Sequence, residues 1–247
     1  MTLLRRDRLV VLAALAGVTA IAWAYLLIAR QDMTMPAMDD MSDMAMPFAA
    51  PAVFAMWWVM MLGMMLPSVA PMILTYATVQ HRRREREQPY VPTALFVAGY
   101  LIVWGGFSVV ATAAQWVLQQ LALLSTMMAP TTHWLGGVLF ILAGVYQFTP
   151  LKYACLSHCR SPLAFVLNHW HDGRSGALRM GASHGLYCLG CCWVLMALLF
   201  AVGVMNLIWV AGLAALVFAE KLLPGGVWVG RAGGGAMAAV GVWLIAQ

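Results

Sequence analysis

The residues with the most chemistry in this chain are a histidine and three cysteines within HGLYCLGCCWVLM. His184, Cys188, Cys191 and Cys192 all fall inside a long apolar run. On a helix with 100° between successive residues, these four side chains lie within an arc of about 100°. A buried imidazole is costly unless it has a partner, and thiolates and imidazoles are ligands of soft metals. The spacing therefore predicts that one helix face carries a set of metal ligands.

A second group of such side chains lies upstream, in KYACLSHCRSP. Cys155, His158 and Cys159 follow the pattern C-x-x-H-C. If the segment is helical, Cys155 and Cys159 are one turn apart on a shared face, with His158 alongside. Cysteines on the cytoplasmic side of a membrane stay reduced, which disfavours a disulfide and favours a metal site. We expect the two groups to be halves of one soft-metal site, although the sequence leaves open whether they meet.

A loop after the first apolar run is rich in methionine and aspartate. RQDMTMPAMDDMSDMAMP holds six methionines and four aspartates, without a periodicity that could bury them. The thioether is a soft ligand that selects Cu(I), and it persists in an oxidising compartment where thiols form disulfides. Met33, Met35 and Met38 are therefore candidate Cu(I) ligands, the alternative being a flexible tether.

The second apolar run, AMWWVMMLGMMLPSVAPMILTYA, contains further methionines. On a helix, Met56, Met60 and Met64 lie within an arc of about 80°, and Met61 and Met65 belong to a second stripe. Two prolines near mid-membrane free backbone carbonyls, so we expect a kink or break against protein or water. These five methionines are candidates for a copper transport or relay role, with plain packing as the alternative.

The elements that must position these residues are membrane helices. The chain is 63% hydrophobic and 9% charged, against about 25% charged in an average soluble domain. A membrane-spanning helix needs roughly 20 apolar residues. We expect one all-α domain over 1–247, a polytopic helical membrane protein with about seven transmembrane helices, or six if one run is re-entrant. The runs are 9–28, 52–79, 91–124, 134–148, 181–204, 205–222 and 227–246.

The basic residues predict the orientation of these helices. Thirteen of the fourteen Lys and Arg residues alternate to one side of the seven spans, and positive residues mark the cytoplasmic face. The N-terminus is therefore expected in the cytoplasm, and the positive charge does not require a nucleic-acid partner. The Met/Asp-rich loop at 30–51 then faces outward and the Cys/His loop at 150–180 faces inward. His169 and His171 in the inner loop are expected to be ordinary interfacial residues.

Four stretches of the chain together resemble the DUF2182 family. They are MWWVMMLGMMLPSVAPM, KYACLSHCRSPLAF, HGLYCLGCCWVLMALLFAVGVMNLIWVA and EKLLPGG, in the family's order, over about residues 54–224. The resemblance implies a multi-pass protein of the bacterial cell inner membrane that is predicted to bind metal. The candidate ligands carried over are Cys155, Cys159, His184, Cys188, Cys191 and Cys192. The fourth stretch adds Glu220 and Lys221, for which we expect an ion pair at the inner face, with Glu220 as a further candidate ligand.

The favoured function is Cu(I) binding, in copper transport or in delivery to a copper enzyme. Soft ligands on both faces, with methionines between them, let a monovalent cation cross without burying fixed charge. The chain has no Walker A motif, so transport would be passive or coupled to a gradient or a partner. No residue is assigned a catalytic role. The expected partners are membrane lipid and a periplasmic or membrane protein, such as a copper enzyme.

Three alternatives remain from the sequence alone. A membrane thiol–disulfide carrier would use Cys188 and Cys191, which have the C-x-x-C spacing, but no cysteine lies on the outer face. A structural zinc site would suit a Cys/His set but would not explain the methionines. The third alternative is a scaffold subunit of a membrane complex.

Overall fold

The computed structural model describes residues 2–34, 49–87, 89–123 and 133–247. Within these ranges every regular element is a helix, which confirms the all-α prediction. The helices are α1 (Thr2–Thr34), α2 (Ala50–Glu85), α3 (Thr93–Gln120), α4 (His133–Tyr146), α5 (Pro150–Arg160), α6 (Pro162–Asn168), α7 (Gly173–Ala197), α8 (Leu199–Val202), α9 (Leu207–Leu222) and α10 (Gly226–Ile245).

Five helical segments in the described residues are long and apolar enough to cross a membrane. They are Arg8–Ala29, Ala50–Glu85, Thr93–Gln120, Gly173–Val202 and Gly226–Ile245. A sixth crossing results if α4 and α5, which meet at an angle of 64°, form one broken span. Helix α9 has 16 residues, which is below the roughly 17 that a span needs. The membrane class is therefore supported with five or six crossings, and the predicted count of seven and the side of the N-terminus stay predictions.

Helix α2 runs without interruption through Pro67 and Pro71, where a kink or break was expected. Pro67 has no backbone N–H, so the carbonyl of Gly63 loses its donor within the helix. The indole Nε1 of Trp23 on α1 donates to that carbonyl at 3.3 Å. A neighbouring helix therefore replaces the missing hydrogen bond. The freed carbonyl thus lies against protein, which is one of the two surroundings expected from the sequence.

Helices α3 and α7 approach each other through glycines. A Cβ on Gly181 would lie 1.9 Å from the carbonyl oxygen of Phe96, and one on Gly99 would lie 2.1 Å from that of Leu178. Small residues at such crossings let two backbones come close inside a membrane. The crossing fixes α7, which carries three cysteines, against the helix that carries Tyr100.

Three helix ends meet at one basic end of the molecule. The guanidinium of Arg8 near the start of α1 donates to Thr78 Oγ1 of α2 at 3.2 Å. Near the end of α2, Arg83 pairs with Asp172 at the start of α7 at 2.7 Å. The hydrogen bond from Trp170, together with Arg83, lowers the pKa of Asp172 below its ordinary value. The basic segments predicted to share one side of the membrane are thus in contact.

The segment 150–180, predicted as an inner loop, is mostly helical. It holds α5, α6 and the first turns of α7. Thr149 caps α5 by accepting a hydrogen bond from the backbone N–H of Lys152, and Pro150 suits the first helical position. Because α5 bends back from α4 by 64°, its far end can reach α7 and α9.

Candidate metal centre

Helix α7 buries its histidine and all three of its cysteines. Cys188, Cys191 and Cys192 are at most 1% exposed, and His184 is 2% exposed. Since the residues are spaced by one helical turn or less, they lie along the side of α7 that faces the interior. The cysteine face predicted from the sequence is therefore an inward face in the structure.

Cys159, at the end of α5, joins the three cysteines of α7. Its thiol lies within hydrogen-bonding reach of the sulfurs of Cys188 and Cys191. Cys192 interacts with the thiols of the same two residues, and all of these cysteines are free. We call Cys159, Cys188, Cys191 and Cys192 the sulfur cluster. The structure thus brings together one cysteine of the upstream group and all three of the downstream group.

Cys155 lies beside the sulfur cluster and outside its hydrogen bonds. A Cβ placed on Gly190 of α7 would come within 2.7 Å of Cys155 Sγ, so this thiol packs against the α7 backbone. The Tyr146 hydroxyl donates to the Gly190 carbonyl at the same place. Because Gly190 has no side chain, residues of both α4 and α5 contact α7 at this position.

His158 separates from the cysteines with which it was grouped. Its ring lies parallel to that of Tyr187, with 4.0 Å between centroids. The ring of His169, which directly follows α6, stands 5.9 Å away. The two neighbouring residues of the C-x-x-H-C motif therefore face different surroundings. Cys159 faces the cysteines of α7, and His158 faces His169.

His184 shares the inward face of α7 but lies among aromatic rings. Phe165, Tyr100 and Phe96 have centroids 5.1, 6.1 and 6.3 Å from its ring. Its Nδ1 is buried without a hydrogen-bond partner in the described part of the chain. A buried imidazole nitrogen in this state is a group that a ligand could satisfy.

Cys188 is the centre of a polar network that joins four helices. The ammonium of Lys221 on α9 donates to its sulfur at 3.0 Å and to Ser68 Oγ of α2 at 3.1 Å. The Tyr100 hydroxyl of α3 shares a hydrogen bond with the same sulfur at 3.1 Å. Lys221 and Tyr100 were not found as partners of Cys188 from the sequence, nor Ser68 as a partner of Lys221, because each lies on a different helix.

The expected ion pair between Glu220 and Lys221 does not form. Glu220 pairs instead with Lys152 of α5 at 2.7 Å, and both side chains are 1% exposed. Gln147 accepts a second hydrogen bond from Lys152. Consecutive residues on a helix point about 100° apart, so Glu220 and Lys221 face different neighbours. Lys152 and Glu220 are charged residues in largely apolar stretches, which indicates that each needs a partner but does not identify it.

A cavity of about 240 Å³ adjoins the sulfur cluster. Cys159, Lys221, Ser68 and Met72 all contribute to its lining. Arg160 stands beside it and donates to the carbonyls of Glu220, Leu223 and Pro224, which caps the end of α9. The cavity therefore reaches both a thiol and the ammonium that contacts Cys188.

The methionines of α2 are buried in the core. We call Met56, Met60, Met61, Met64 and Met65 the methionine stripe, and none of them is more than 4% exposed. Burial alone is compatible with packing, so their role as copper ligands stays a prediction. Of the candidate methionines in the predicted outward loop, Met33 falls within α1, and its side chain is not described. Met35 and Met38 lie outside the described residues.

The sulfur cluster has the donor chemistry of a soft-metal site. Within the described ranges, no three His, Cys, Asp or Glu side chains stand in an arrangement that could hold a metal ion. Instead, the Cys191 and Cys192 sulfurs donate to the Cys188 carbonyl, each at 3.0 Å. Thiolates select Cu(I), which needs as few as two of them. The cluster therefore supplies soft donors without a preformed coordination geometry.

The fold and the sulfur cluster together define the class of this protein, which is a helical membrane protein with buried free thiols. Residues 54–244 match the family model PpoB2, described as a copper chaperone. Because the match covers well over half of the chain, the chain belongs to this family. This match covers the region of the DUF2182 resemblance. It supports a copper-related family and does not support the DUF2182 name. No curated protein and no solved structure matches the chain.

Proposed function

We propose that this protein is a membrane-embedded copper chaperone that binds Cu(I) at the sulfur cluster and passes it to a copper-requiring partner. The observation that carries the proposal is the contact of Cys159 on α5 with Cys188 and Cys191 on α7. Two helices distant in sequence thus supply thiols to one point, and the family's copper description agrees with that chemistry.

The charges around the cluster favour a monovalent metal. Cu(I) held by two thiolates carries one net negative charge, which would be costly in a buried place. The ammonium of Lys221 lies 3.0 Å from Cys188 Sγ and can neutralise that charge. The pair of Glu220 and Lys152 is already balanced. Zn(II) normally takes four protein ligands at a structural site, and the family description favours neither zinc nor a redox carrier.

We further propose the placement of the protein in the cell. The basic end formed by α1, α2 and α7 lies in the cytoplasm of a bacterium, and the helices cross its inner membrane. Contacts such as Arg83 with Asp172 support a shared side for these helix ends. The partner that receives copper is a protein of the membrane or periplasm.

The test is copper content after loading the detergent-purified protein with Cu(I) under reducing conditions. After loosely bound metal is removed with a chelator, wild type is expected to retain copper, and the double variant Cys159→Ser with Cys188→Ser is expected to retain none. Cys155→Ser is the matched control, because this thiol of α5 lies outside the hydrogen-bonded cluster. Elemental analysis measures copper and zinc in each protein.

Two results would overturn the proposal. A wild-type protein that takes up no Cu(I) would remove the copper function. Equal copper loss in Cys155→Ser and in the double variant would remove the assignment to the sulfur cluster. Folding of every variant is checked by its elution as a single species in detergent, so that copper loss is read only from intact protein.

A further inference from the structure

His158 and His169 form a pair of rings at the edge of the α5–α6 segment. Their centroids are 5.9 Å apart. Each ring is held from behind, His158 by the parallel ring of Tyr187 at 4.0 Å and His169 by that of Phe165 at 4.6 Å. Both side chains are partly exposed. The pair is thus positioned by stacking and remains accessible.

Hydrogen bonds fix the tautomer of both rings. Nδ1 of His158 lies 2.9 Å from the Ala154 carbonyl oxygen, and Nδ1 of His169 lies 3.2 Å from that of Phe165. A carbonyl oxygen only accepts, so each Nδ1 must carry the proton. In the neutral ring, Nε2 then holds the lone pair, which is the arrangement of metal-ligating histidines.

The two rings line a common cavity of about 220 Å³. Ser157, Ser161 and Asn168 contribute polar groups to the same lining. Among the residues that the structure describes, neither Nε2 has a hydrogen-bond partner. Two imidazole donors with free lone pairs therefore share one small, accessible space.

We propose that His158 and His169 form a receiving site for Cu(I), separate from the sulfur cluster. Imidazole nitrogen suits copper, and two donors are enough for Cu(I), whereas Zn(II) sites need more. The cavity lies on the partly exposed side of α5, and Cys159 follows His158 directly in the chain. The site therefore offers solvent-borne Cu(I) a first pair of ligands.

The onward step rests on the proposed function. Cu(I) leaves the two Nε2 atoms and binds the sulfurs of Cys159 and Cys188, so that two Cu–N bonds are exchanged for two Cu–S bonds. Copper keeps its charge of +1, and each thiol that becomes a thiolate releases its proton to water. Thiolates bind Cu(I) more tightly than imidazoles, so the exchange is downhill.

The test is the rate at which the full-length protein takes Cu(I) from a coloured Cu(I)–bicinchoninate complex. His158→Phe with His169→Phe removes both donors and keeps rings to stack on Tyr187 and Phe165. We expect loading at least about tenfold slower, with unchanged copper content at equilibrium. His171→Phe is the matched control, since its Nδ1 also meets a backbone carbonyl, that of His169, at 2.9 Å. Its rate should equal that of wild type.

A second measurement reads the site directly. In the Cys159→Ser, Cys188→Ser variant, X-ray absorption of one equivalent of Cu(I) should show nitrogen ligands, and adding the two phenylalanines should remove them. Unchanged loading rates, or copper bound only by sulfur, would overturn this proposal while the chaperone function stands. Equal occupancy by Zn(II) under competition would overturn the assignment to Cu(I). If wild type and this variant both bind copper through nitrogen alone, the receiving site stands and only the chaperone function at the sulfur cluster fails.

Discussion

The sulfur cluster and the methionine stripe are both buried and both rich in sulfur, yet their surroundings differ. Cys188 contacts the ammonium of Lys221 at 3.0 Å and the hydroxyl of Tyr100 at 3.1 Å. Met60 and Met64 belong to the apolar core, with exposures of 0% and 1%. Burial therefore does not distinguish a binding centre from packing, whereas buried polar neighbours do.

The polar neighbours of the cluster are expensive to keep in a membrane protein. Lys152 and Glu220 are each 1% exposed, and Lys221 is 7% exposed. Charges at such depth are rare and usually mark a functional place. Buried charges therefore distinguish the sulfur cluster from the methionine stripe, and five sets of substitutions test this difference.

The largest effect is expected from Lys152→Met. This change leaves Glu220 buried without its counter-charge, and breaking a buried pair costs about 3–5 kcal/mol. The free energy of unfolding, measured by titrating the protein in mixed detergent micelles, should fall by that amount. Arg174→Met, an exposed change on α7, should leave it unaltered. Adding Glu220→Met should restore much of the loss, and no recovery would show that the pair is not an isolated unit.

Gly181→Ala should be next in size. Its Cβ would lie 1.9 Å from the Phe96 carbonyl oxygen, so α7 must move away from α3. Overpacking of this kind costs about 1–3 kcal/mol, and displacing α7 should also weaken Cu(I) binding. The control is Gly106→Ala on α3, where a Cβ would meet nothing within 4 Å. Equal stability of the two variants would contradict the close crossing.

Lys221→Met tests whether the ammonium stabilises copper at the cluster. Without it, the charge on a Cu(I) bis-thiolate is uncompensated, and we expect affinity to fall about tenfold, or 1.4 kcal/mol. Competition against a chromophoric Cu(I) chelator gives the affinity. Arg179→Met on the exposed side of α7 is the control. An unchanged affinity for Lys221→Met would mean that this neighbour of Cys188 has no part in binding.

Met60→Leu with Met64→Leu tests the other half of the comparison. Leucine and methionine exchange at nearly constant volume, so the expected loss of stability is under about 1.5 kcal/mol. Copper content and affinity should stay at wild-type values, because the proposed function places the metal at the sulfur cluster. A fall in copper uptake would instead support the relay role predicted for the stripe from the sequence.

The smallest effect is expected for Asp172→Asn. This change removes the ion pair with Arg83, which is exposed, whereas the pair of Lys152 and Glu220 is buried. The pKa of Asp172 is lowered by Trp170 and Arg83. The carboxylate therefore contributes stability above its unfolded pKa of about 4, and this is lost as pH falls through the lower folded value. Wild type and variant should differ slightly at neutral pH and converge in acid. A difference that persists in acid would exclude the ionised carboxylate as its cause.

The sequence predicted the parts of the centre that depend on local geometry. Helical periodicity placed His184 and the three cysteines of α7 on one side, because neighbours at one-turn spacing stay neighbours in any fold. It could not tell which neighbours His158 and Cys159 would meet, since their side chains point about 100° apart and helix packing decides what covers each face. Nor could it pair Glu220 with Lys152, which are far apart in the chain.

By itself, then, the sequence determined a helical membrane protein whose soft donors lie on particular helix faces, because apolar length and periodicity are local properties. The tertiary structure decided which faces meet. The bend between α4 and α5 brings Cys159 to Cys188, and the glycine crossing at Gly181 holds α7 in place for that contact. Such meetings depend on helix packing, whose geometry is set by close approach of backbones and not by any one segment.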